Sequence, residues 1–199
     1  MADHGTMAAY AANIDKYRQM VGDMGGNAML PGFLARLPDN ASVLDFGCGI
    51  GDSAARIKAA GHDVTCIDAS PEMALAAREL FGLEVRQQSF DQLDENAAFD
   101  AIWASFSLLH APKATMPDIL ARIERAMRPG GLVYIGLKQG VGEHRDDFGR
   151  FYAYYEADEL TDLVTAAGLA PVALDRDRTA GMSGKMEICL HITSRKEAA

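Results

Sequence analysis

A glycine-rich run follows a short apolar segment early in the chain. SVLDF at 42–46 leads into GCGIG at 47–51, and Asp45 stands just before the glycines. Glycines at such a turn let the backbone approach a ligand closely, and the helix that follows offers unpaired N–H groups. The spacing differs from the dinucleotide pattern GxGxxG, because the third glycine comes one residue early and Asp52 takes its place. A carboxylate there disfavours a pyrophosphate, whereas a positively charged ligand would tolerate Asp45. The simpler interpretation is a tight turn that uses glycine only for packing.

A second acidic residue, Asp68, ends the strand predicted for DVTCIDAS at 63–70, 17 residues after Gly51. A carboxylate at this point can accept hydrogen bonds from both hydroxyls of a ribose. Taken alone, Asp68 could equally cap the helix that begins near Ser70. Asp68 and the glycine turn together are far more specific than either feature alone.

Apolar spacing predicts the elements that must position these residues. The first part, about 7–37, has helical periodicity, and from 41 to 195 strands and helices alternate. The predicted strands are 42–46, 63–68, 83–88, 99–105 and 132–137, and the predicted helices are 51–60, 70–81, 112–127 and 156–167. RPGG at 128–131 is expected to end one helix and lead into the fifth strand. Alternation predicts a parallel sheet with helices on both faces. The tail, PVALDRDR and then EICLHITS, predicts an antiparallel hairpin at the sheet edge.

Composition narrows the class of protein. With 199 residues, we expect a single domain over 1–199. A formal net charge of −9 disfavours a nucleic-acid partner, and the three scattered cysteines disfavour a metal site or a disulfide framework. No apolar run is long enough to span a membrane, and the first residues lack the pattern of a secretory signal. We therefore expect a cytoplasmic enzyme with no membrane partner.

Four runs together resemble the motifs of class I S-adenosylmethionine-dependent methyltransferases: VLDFGCGIGDSA, IDASPEM, FDAIWASFSLLH and MRPGGLVYIGL. The resemblance extends from about Tyr10 to Thr193. Within this class the chain is similar to small bacterial members that act on metabolites. It implies an α/β fold with a Rossmann-like, doubly wound sheet of seven strands and an N-terminal helical cap. The implied strand order is 3-2-1-4-5-7-6, with the last strand antiparallel. S-adenosylmethionine is the expected cofactor, and S-adenosylhomocysteine is its product.

The resemblance also assigns roles to residues. Those implied to contact the methionine part are Asp45, Gly47, Cys48 and Gly49. Those implied to contact the adenosine are Asp68, Ala69, Met73, Ser89 and Phe90. Ser89 stands where the family usually has Asp, and Asp91 is the alternative. Ala104 and Ser105 would line the sulfonium end.

Tyr10 and Tyr17, with Asn13 between them, resemble an N-terminal YxxxAxxY-like element that folds over the cofactor. Two tyrosines on one helical face could equally be ordinary packing.

The methyl acceptor should lie near His110, which follows the fourth strand and can serve as a general base near neutral pH. A structural histidine is the alternative. The segment 138–155, with its run GEHRDDFGRFYAYY, suits a loop that closes on a ligand. Within it the resemblance favours Arg145 and Tyr154 over His144 as catalytic residues, although its charges could also form solvated salt bridges.

Methyl transfer by in-line displacement needs mainly alignment and a water-poor pocket, and a base only when the nucleophile carries a proton. The absence of an obvious catalytic dyad is therefore compatible with this activity. Three alternatives stay open: a nicotinamide-dependent oxidoreductase, a nucleic-acid methyltransferase, and a non-catalytic protein that binds the cofactor as a signal. The sequence leaves the small-molecule acceptor, the methylated atom and the choice between monomer and homodimer undetermined.

Overall fold

The computed structural model describes residues 3–198, apart from the side chain of Met24. Its N-terminal cap comprises three helices, α1 (His4–Ala12), α2 (Ile14–Met24) and α3 (Leu30–Leu34). The Asp3 carboxylate begins α1 by accepting a hydrogen bond of 2.7 Å from the Thr6 backbone N–H. The apolar stripe of this cap packs against the core beside the glycine turn through Tyr10, Ile14, Tyr17 and Val21.

A seven-stranded sheet follows, with four helices between its strands. The strands of the sheet are β1 (Ser42–Phe46), β2 (Asp63–Asp68), β3 (Val85–Gln87), β4 (Phe99–Ser105), β5 (Met127–Lys138), β8 (Leu169–Ala180) and β9 (Met186–Lys196). The helices are α4 (Asp52–Ala59), α5 (Pro71–Phe81), α6 (Met116–Ala126) and α7 (Ala157–Ala166). A separate two-stranded ribbon consists of β6 (Glu143–Arg145) and β7 (Phe151–Ala153).

The strand order of the sheet is β3-β2-β1-β4-β5-β9-β8, and β9 runs antiparallel to both of its neighbours. Since β6 and β7 lie outside this sheet, β8 and β9 are its sixth and seventh strands. The predicted fold class and strand order are confirmed. The carboxyl ends of β1, β2 and β4 therefore meet at one edge, which is where ligands bind in open α/β sheets.

Two local predictions were wrong. The fifth strand begins at Met127, not after RPGG, because Met127 already pairs with Phe99. A register shift opposite Phe99 and Ala101 places the extra residues 128–131 in a bulge of β5. The segment 138–155 is not simply a loop, since β6 and β7 pair as an antiparallel ribbon with His144 opposite Tyr152.

Apolar layers cover both faces of the sheet. On one face α6 and α7 pack against Leu44, Ile102 and other strand residues. On the other, Phe33 of the cap meets Trp103 and Tyr134, whose rings stack with centroids 3.8 Å apart. In the described part of the chain, no helix has the length and apolar character needed to cross a membrane.

Candidate active site

The glycine turn lies at the carboxyl end of β1. The backbone N–H groups of Gly47 and Cys48 both donate to the Ile67 carbonyl, at 2.8 and 3.0 Å, which turns the chain sharply. Gly47 has φ of +80°, and a Cβ there would lie 2.3 Å from Cβ of Ser107. A side chain is therefore excluded at this position both by backbone strain and by the approach of the chain after β4.

Asp68 ends β2 beside this turn. One of its carboxylate oxygens accepts from the Gly49 N–H at 2.8 Å, and the other accepts from the Ser70 N–H at 2.9 Å. Burial raises the pKa of Asp68, while these backbone hydrogen bonds oppose that rise. Each carboxylate oxygen keeps a second lone pair, so the side chain can still accept hydrogen bonds from a ligand. Asp68 does not cap the next helix, because Ser70 does so by accepting from the Met73 N–H.

Asp45 is the buried acid of the site. Its side chain is 2% exposed, and its Oδ2 has no hydrogen-bonding partner among residues 3–198. Burial raises the pKa of Asp45 well above its ordinary value. A buried carboxyl oxygen without a partner is costly, and a ligand ammonium group would satisfy it. This orphaned oxygen fits the amino-acid end of S-adenosylmethionine.

Two cavities meet at this edge of the sheet. The smaller, about 110 Å³, includes Gly49, Asp68, Met73 and Phe90 in its lining, and the larger, about 560 Å³, includes Asp45 and Cys48. They share five wall residues, which are Tyr10, Tyr17, Gly47, Ser105 and Phe106. The two cavities are therefore adjacent, one beside Asp68 and the other beside Asp45, and together they are called the cleft.

The residues predicted to contact the cofactor are nearly all brought together in this cleft. Ala69 and Ser89 line the smaller cavity, and Ser105 lines both. Ser89 also begins the short turn at 90–92, where its backbone N–H donates to Oε1 of Gln92 and its hydroxyl donates to Asp91 at 2.6 Å. Ala104 is different, because it is fully buried within β4 and does not line either cavity.

The two tyrosines of the cap cover the cleft. Their rings are 5.2 Å apart in an edge-to-face arrangement. The Tyr17 hydroxyl approaches Gly49 so closely that a Cβ on that glycine would lie 3.4 Å from it. Burial raises the pKa of Tyr17, so this hydroxyl stays protonated and can donate a hydrogen bond.

Of the three predicted catalytic residues, one lines either of these two cavities. His110 lies in the wall of the smaller cavity. Arg145 lies on β6 with its side chain 49% exposed and forms an ion pair of 2.9 Å with Asp3. Tyr154 stacks on His144 with ring centroids 4.3 Å apart, and burial raises its pKa to about 12. The ribbon places Arg145 and Tyr154 outside the cleft.

Sequence reasoning missed several residues of the larger cavity. Arg150 belongs to the charge-rich segment 138–155, for which solvated salt bridges were the alternative, but it is 3% exposed and is held by Asp146 at 2.6 Å. The others come from the linker after α2, from the end of β5 and from the β8–β9 hairpin at the sheet edge: Asn27, Lys138, Asp177, Cys189 and His191. The run GRFY could have indicated a buried arginine among aromatic rings. No local spacing marks the hairpin residues.

Comparisons with known proteins agree with this geometry. Residues 43–131 match the family model described as a methyltransferase domain. A ubiquinone biosynthesis O-methyltransferase of Xanthomonas oryzae pv. oryzae is 36% identical over 103 residues, which cover 48% of this chain and 42% of that protein. Among the curated relatives compared, the matched part spans between 31% and 58% of the other protein's length.

Solved structures match over a larger share of the chain. A methyltransferase of Methanosarcina mazei superposes with a TM-score of 0.77 at 18% identity, over 85% of this chain and 98% of that one, which shows a shared fold. The 1,6-didemethyltoxoflavin-N1-methyltransferase of Burkholderia thailandensis, solved with its acceptor and S-adenosylhomocysteine, has a TM-score of 0.72 and 27% identity. That match covers 99% of this chain and 91% of the other.

The fold and the cleft define an α/β protein with two adjoining cavities at the carboxyl edge of its sheet. Residues 43–131 thus match a methyltransferase domain, and the chain shares its fold with S-adenosylmethionine-dependent methyltransferases, in agreement with the resemblance of the sequence motifs. S-adenosylmethionine is the cofactor of this class of enzymes.

Proposed function

We propose that this chain binds S-adenosylmethionine along the cleft and transfers its methyl group to a small molecule held in the larger cavity. The observation that carries the proposal is the junction of the two cavities between Asp68 and Asp45. Asp68 lies where it can accept hydrogen bonds from the ribose hydroxyls, and Asp45 would present its unpaired, buried oxygen to the ammonium group of the cofactor. The cofactor would span the shared walls.

The residues around the junction would align the reactants and exclude water. When bound, the sulfonium cofactor supplies an activated methyl group. Tyr10 and Tyr17 cover the cleft from the cap, and Phe106 forms part of the wall at the junction. Such a water-poor enclosure favours in-line displacement, because a nucleophile desolvated and held in line needs little further activation.

In this proposal His110 mainly holds Tyr10 and the ribbon in place through hydrogen bonds. Its Nε2 accepts a hydrogen bond of 2.9 Å from the Tyr10 hydroxyl, and its Nδ1 lies 2.6 Å from the Phe151 carbonyl, to which it donates. Both ring nitrogens are therefore engaged. The role of general base predicted for His110 would require the bond to Tyr10 to open. Arg145 would hold the start of α1 through its ion pair with Asp3, and Tyr154 would stabilise the ribbon by stacking on His144.

A small-molecule acceptor is supported by the size of the larger cavity, about 560 Å³, which lies within the range of ligand pockets. It is also supported by the likeness to the Burkholderia thailandensis enzyme, whose acceptor is a small heterocycle. Whether oxygen, nitrogen, sulfur or carbon is methylated stays open. The cytoplasmic location, the choice between monomer and homodimer, and the absence of a nucleic-acid partner remain predictions.

Calorimetric titration tests the cofactor first. We expect S-adenosylmethionine and S-adenosylhomocysteine to bind with one-to-one stoichiometry and NAD not to bind. Binding of NAD alone would contradict the proposal and favour an oxidoreductase. A panel of small hydroxylated and heterocyclic metabolites, with formation of S-adenosylhomocysteine as the readout, then tests transfer. A protein that binds the cofactor yet transfers nothing across the panel would support the alternative of a non-catalytic sensor.

A further inference from the structure

One wall of the larger cavity comes from the hairpin of β8 and β9. The antiparallel register places Asp177 opposite Cys189 and Asp175 opposite His191. Side chains opposite each other share a face of the sheet, so these four residues lie on the same face. Asp177, Cys189 and His191 line the cavity, and Asp175 does not.

A chain of hydrogen bonds fixes the His191 ring. Oδ1 of Asn27 accepts from the Met29 backbone N–H at 2.8 Å, so Nδ2 of Asn27 is the end that donates to the Tyr134 hydroxyl at 3.0 Å. The Tyr134 hydroxyl also lies 2.7 Å from Nδ1 of His191, while Nε2 of the same ring faces the Asp177 carboxylate at 3.1 Å. A carboxylate at this distance favours the tautomer that has its proton on Nε2, so we assign Tyr134 as the donor to Nδ1. Nδ1 of the neutral ring is thus an acceptor, and Nε2 is a donor.

This leaves a hydrogen-bond donor beside an acceptor with neither satisfied. Nε2 of His191 lies 3.1 Å from Oδ1 of Asp177, but the contact is too far off line to be a hydrogen bond. Neither atom has another hydrogen-bonding partner among the described residues. The His191 side chain is only 3% exposed. Two buried polar atoms without partners are costly and indicate that a ligand satisfies them.

The surroundings favour a flat ligand that donates a hydrogen bond at this edge. Phe106 meets the His191 ring edge to face with centroids 5.8 Å apart, and Tyr152 also lines the cavity. Burial and the Asp177 carboxylate raise the pKa of Cys189 to about 11, so its thiol stays protonated. The Lys138 ammonium is already paired with Glu187 and lies 4.0 Å over the Tyr152 ring. Asp177 is thus the anionic acceptor that the wall offers.

We propose that Asp177 and His191 together recognise the methyl acceptor, and that the acceptor is a planar heterocycle carrying a ring N–H next to a ring carbonyl. The N–H donates to the Asp177 carboxylate, and the neighbouring carbonyl accepts from Nε2–H of His191. A lactam edge presents this donor and this acceptor side by side and satisfies both orphaned atoms at once. This inference rests on the proposed function, because it assigns the acceptor of that same site.

The experiment uses the full chain saturated with S-adenosylhomocysteine. The probes are lumazine (pteridine-2,4-dione) and quinazoline-2,4-dione, each compared with its 1,3-dimethyl derivative, which keeps the ring shape and removes the N–H groups. Affinities are measured by calorimetry for wild type, Asp177→Asn and the matched control Asp175→Asn. Asp175 is a neighbouring acid on the same strand and face that lies outside the cavity lining.

We expect at least one lactam to bind wild type, and its dimethyl derivative to bind roughly tenfold or more weakly, because it leaves the shielded Oδ1 of Asp177 without a donor. Asp177→Asn should lose this preference, and Asp175→Asn should keep it. Equal binding of lactam and dimethyl derivative by wild type, or no binding of either lactam, would overturn the inference even if Asp177→Asn fails to fold. In those cases binding of S-adenosylhomocysteine leaves the proposed function standing. If wild type does not bind S-adenosylhomocysteine, the proposed function fails and the inference fails with it.

Discussion

The hydroxyl of Tyr10 lies 2.9 Å from Nε2 of His110, across 100 residues of sequence. The same imidazole donates through Nδ1 to the carbonyl of Phe151. One neutral ring thus joins the N-terminal helix α1, the segment after β4 and the ribbon strand β7. The Arg150 guanidinium adds a longer contact, 3.3 Å, to the same tyrosine hydroxyl. The cap and the ribbon are therefore connected through the wall of the smaller cavity.

This arrangement predicts a pH dependence of stability. Burial lowers the pKa of His110 from 6.5 to about 4. Between these values the unfolded chain binds the proton more readily than the folded one, so the free energy of unfolding falls as pH drops from about 6.5 towards 4. The loss should approach ~3 kcal/mol, since each pKa unit is worth about 1.36 kcal/mol. Urea unfolding at pH 7 and pH 4.5 measures it.

The control for this prediction is His110→Gln, which cannot titrate but keeps a polar side chain. The variant should be less stable than wild type at pH 7, and the difference between the two should shrink at pH 4.5. A constant difference at both pH values would show that His110 does not titrate with a lowered pKa.

Asp68→Ala should weaken binding of S-adenosylmethionine by about 1–3 kcal/mol, the cost of losing a buried hydrogen-bonding partner. The variant also frees the Gly49 N–H, which Asp68 holds at 2.8 Å, so the glycine turn itself should loosen. Calorimetry measures the affinity. Asp63→Ala, at the exposed start of the same strand, is the control and should bind like wild type. An Asp68→Ala affinity equal to that of wild type would refute the ribose assignment.

Gly47→Val should abolish cofactor binding while circular dichroism still shows a folded α/β domain. Two effects combine, the positive φ of +80° and the overlap with Cβ of Ser107 at 2.3 Å. The control Gly61→Val distinguishes backbone strain from steric overlap, because Gly61 also has a positive φ, +93°, but has open space around it. The control should lose some stability and keep its affinity. If Gly47→Val still binds S-adenosylhomocysteine normally, the ligand lies elsewhere.

The sequence indicated the lining of the smaller cavity and of the junction far better than the lining of the rest of the larger cavity, for a physical reason. Asp45, Gly47 and Asp68 lie at the carboxyl ends of buried parallel strands. Neighbouring parallel strands place these ends at the same edge of the sheet whatever side chains they carry. The positions of Asp177 and His191 depend instead on the register of the long β8–β9 hairpin. A shift of one residue would move their side chains to the other face of the sheet. Arg145 illustrates the same limit, because the pairing of β6 with β7 sets where its side chain lies.

The last prediction concerns closure, with α1 and the β6–β7 ribbon acting together as a lid over the cofactor. Asp3 and Arg145 pair at 2.9 Å, and the Thr6 hydroxyl accepts from the Phe151 backbone N–H at 2.8 Å. The guanidinium of Arg145 holds the pKa of Asp3 well below its ordinary value, so this contact persists across the working pH range. Solvent-exposed ion pairs contribute little to global stability, typically about 0–1 kcal/mol, so the effect should be local.

Amide hydrogen exchange tests the lid. Saturating S-adenosylhomocysteine should slow exchange in both 4–20 and 143–154, because a bound cofactor stabilises the closed state that it contacts. Arg145→Gln should speed exchange in both segments of the free protein and weaken cofactor binding only slightly. Lys185→Gln, which removes the exposed pair of Lys185 with Asp147, is the matched control and should leave exchange in 4–20 unchanged. If the cofactor product changes exchange in neither segment, the cap and the ribbon are fixed packing elements, and Tyr10 and Tyr17 are ordinary core contacts.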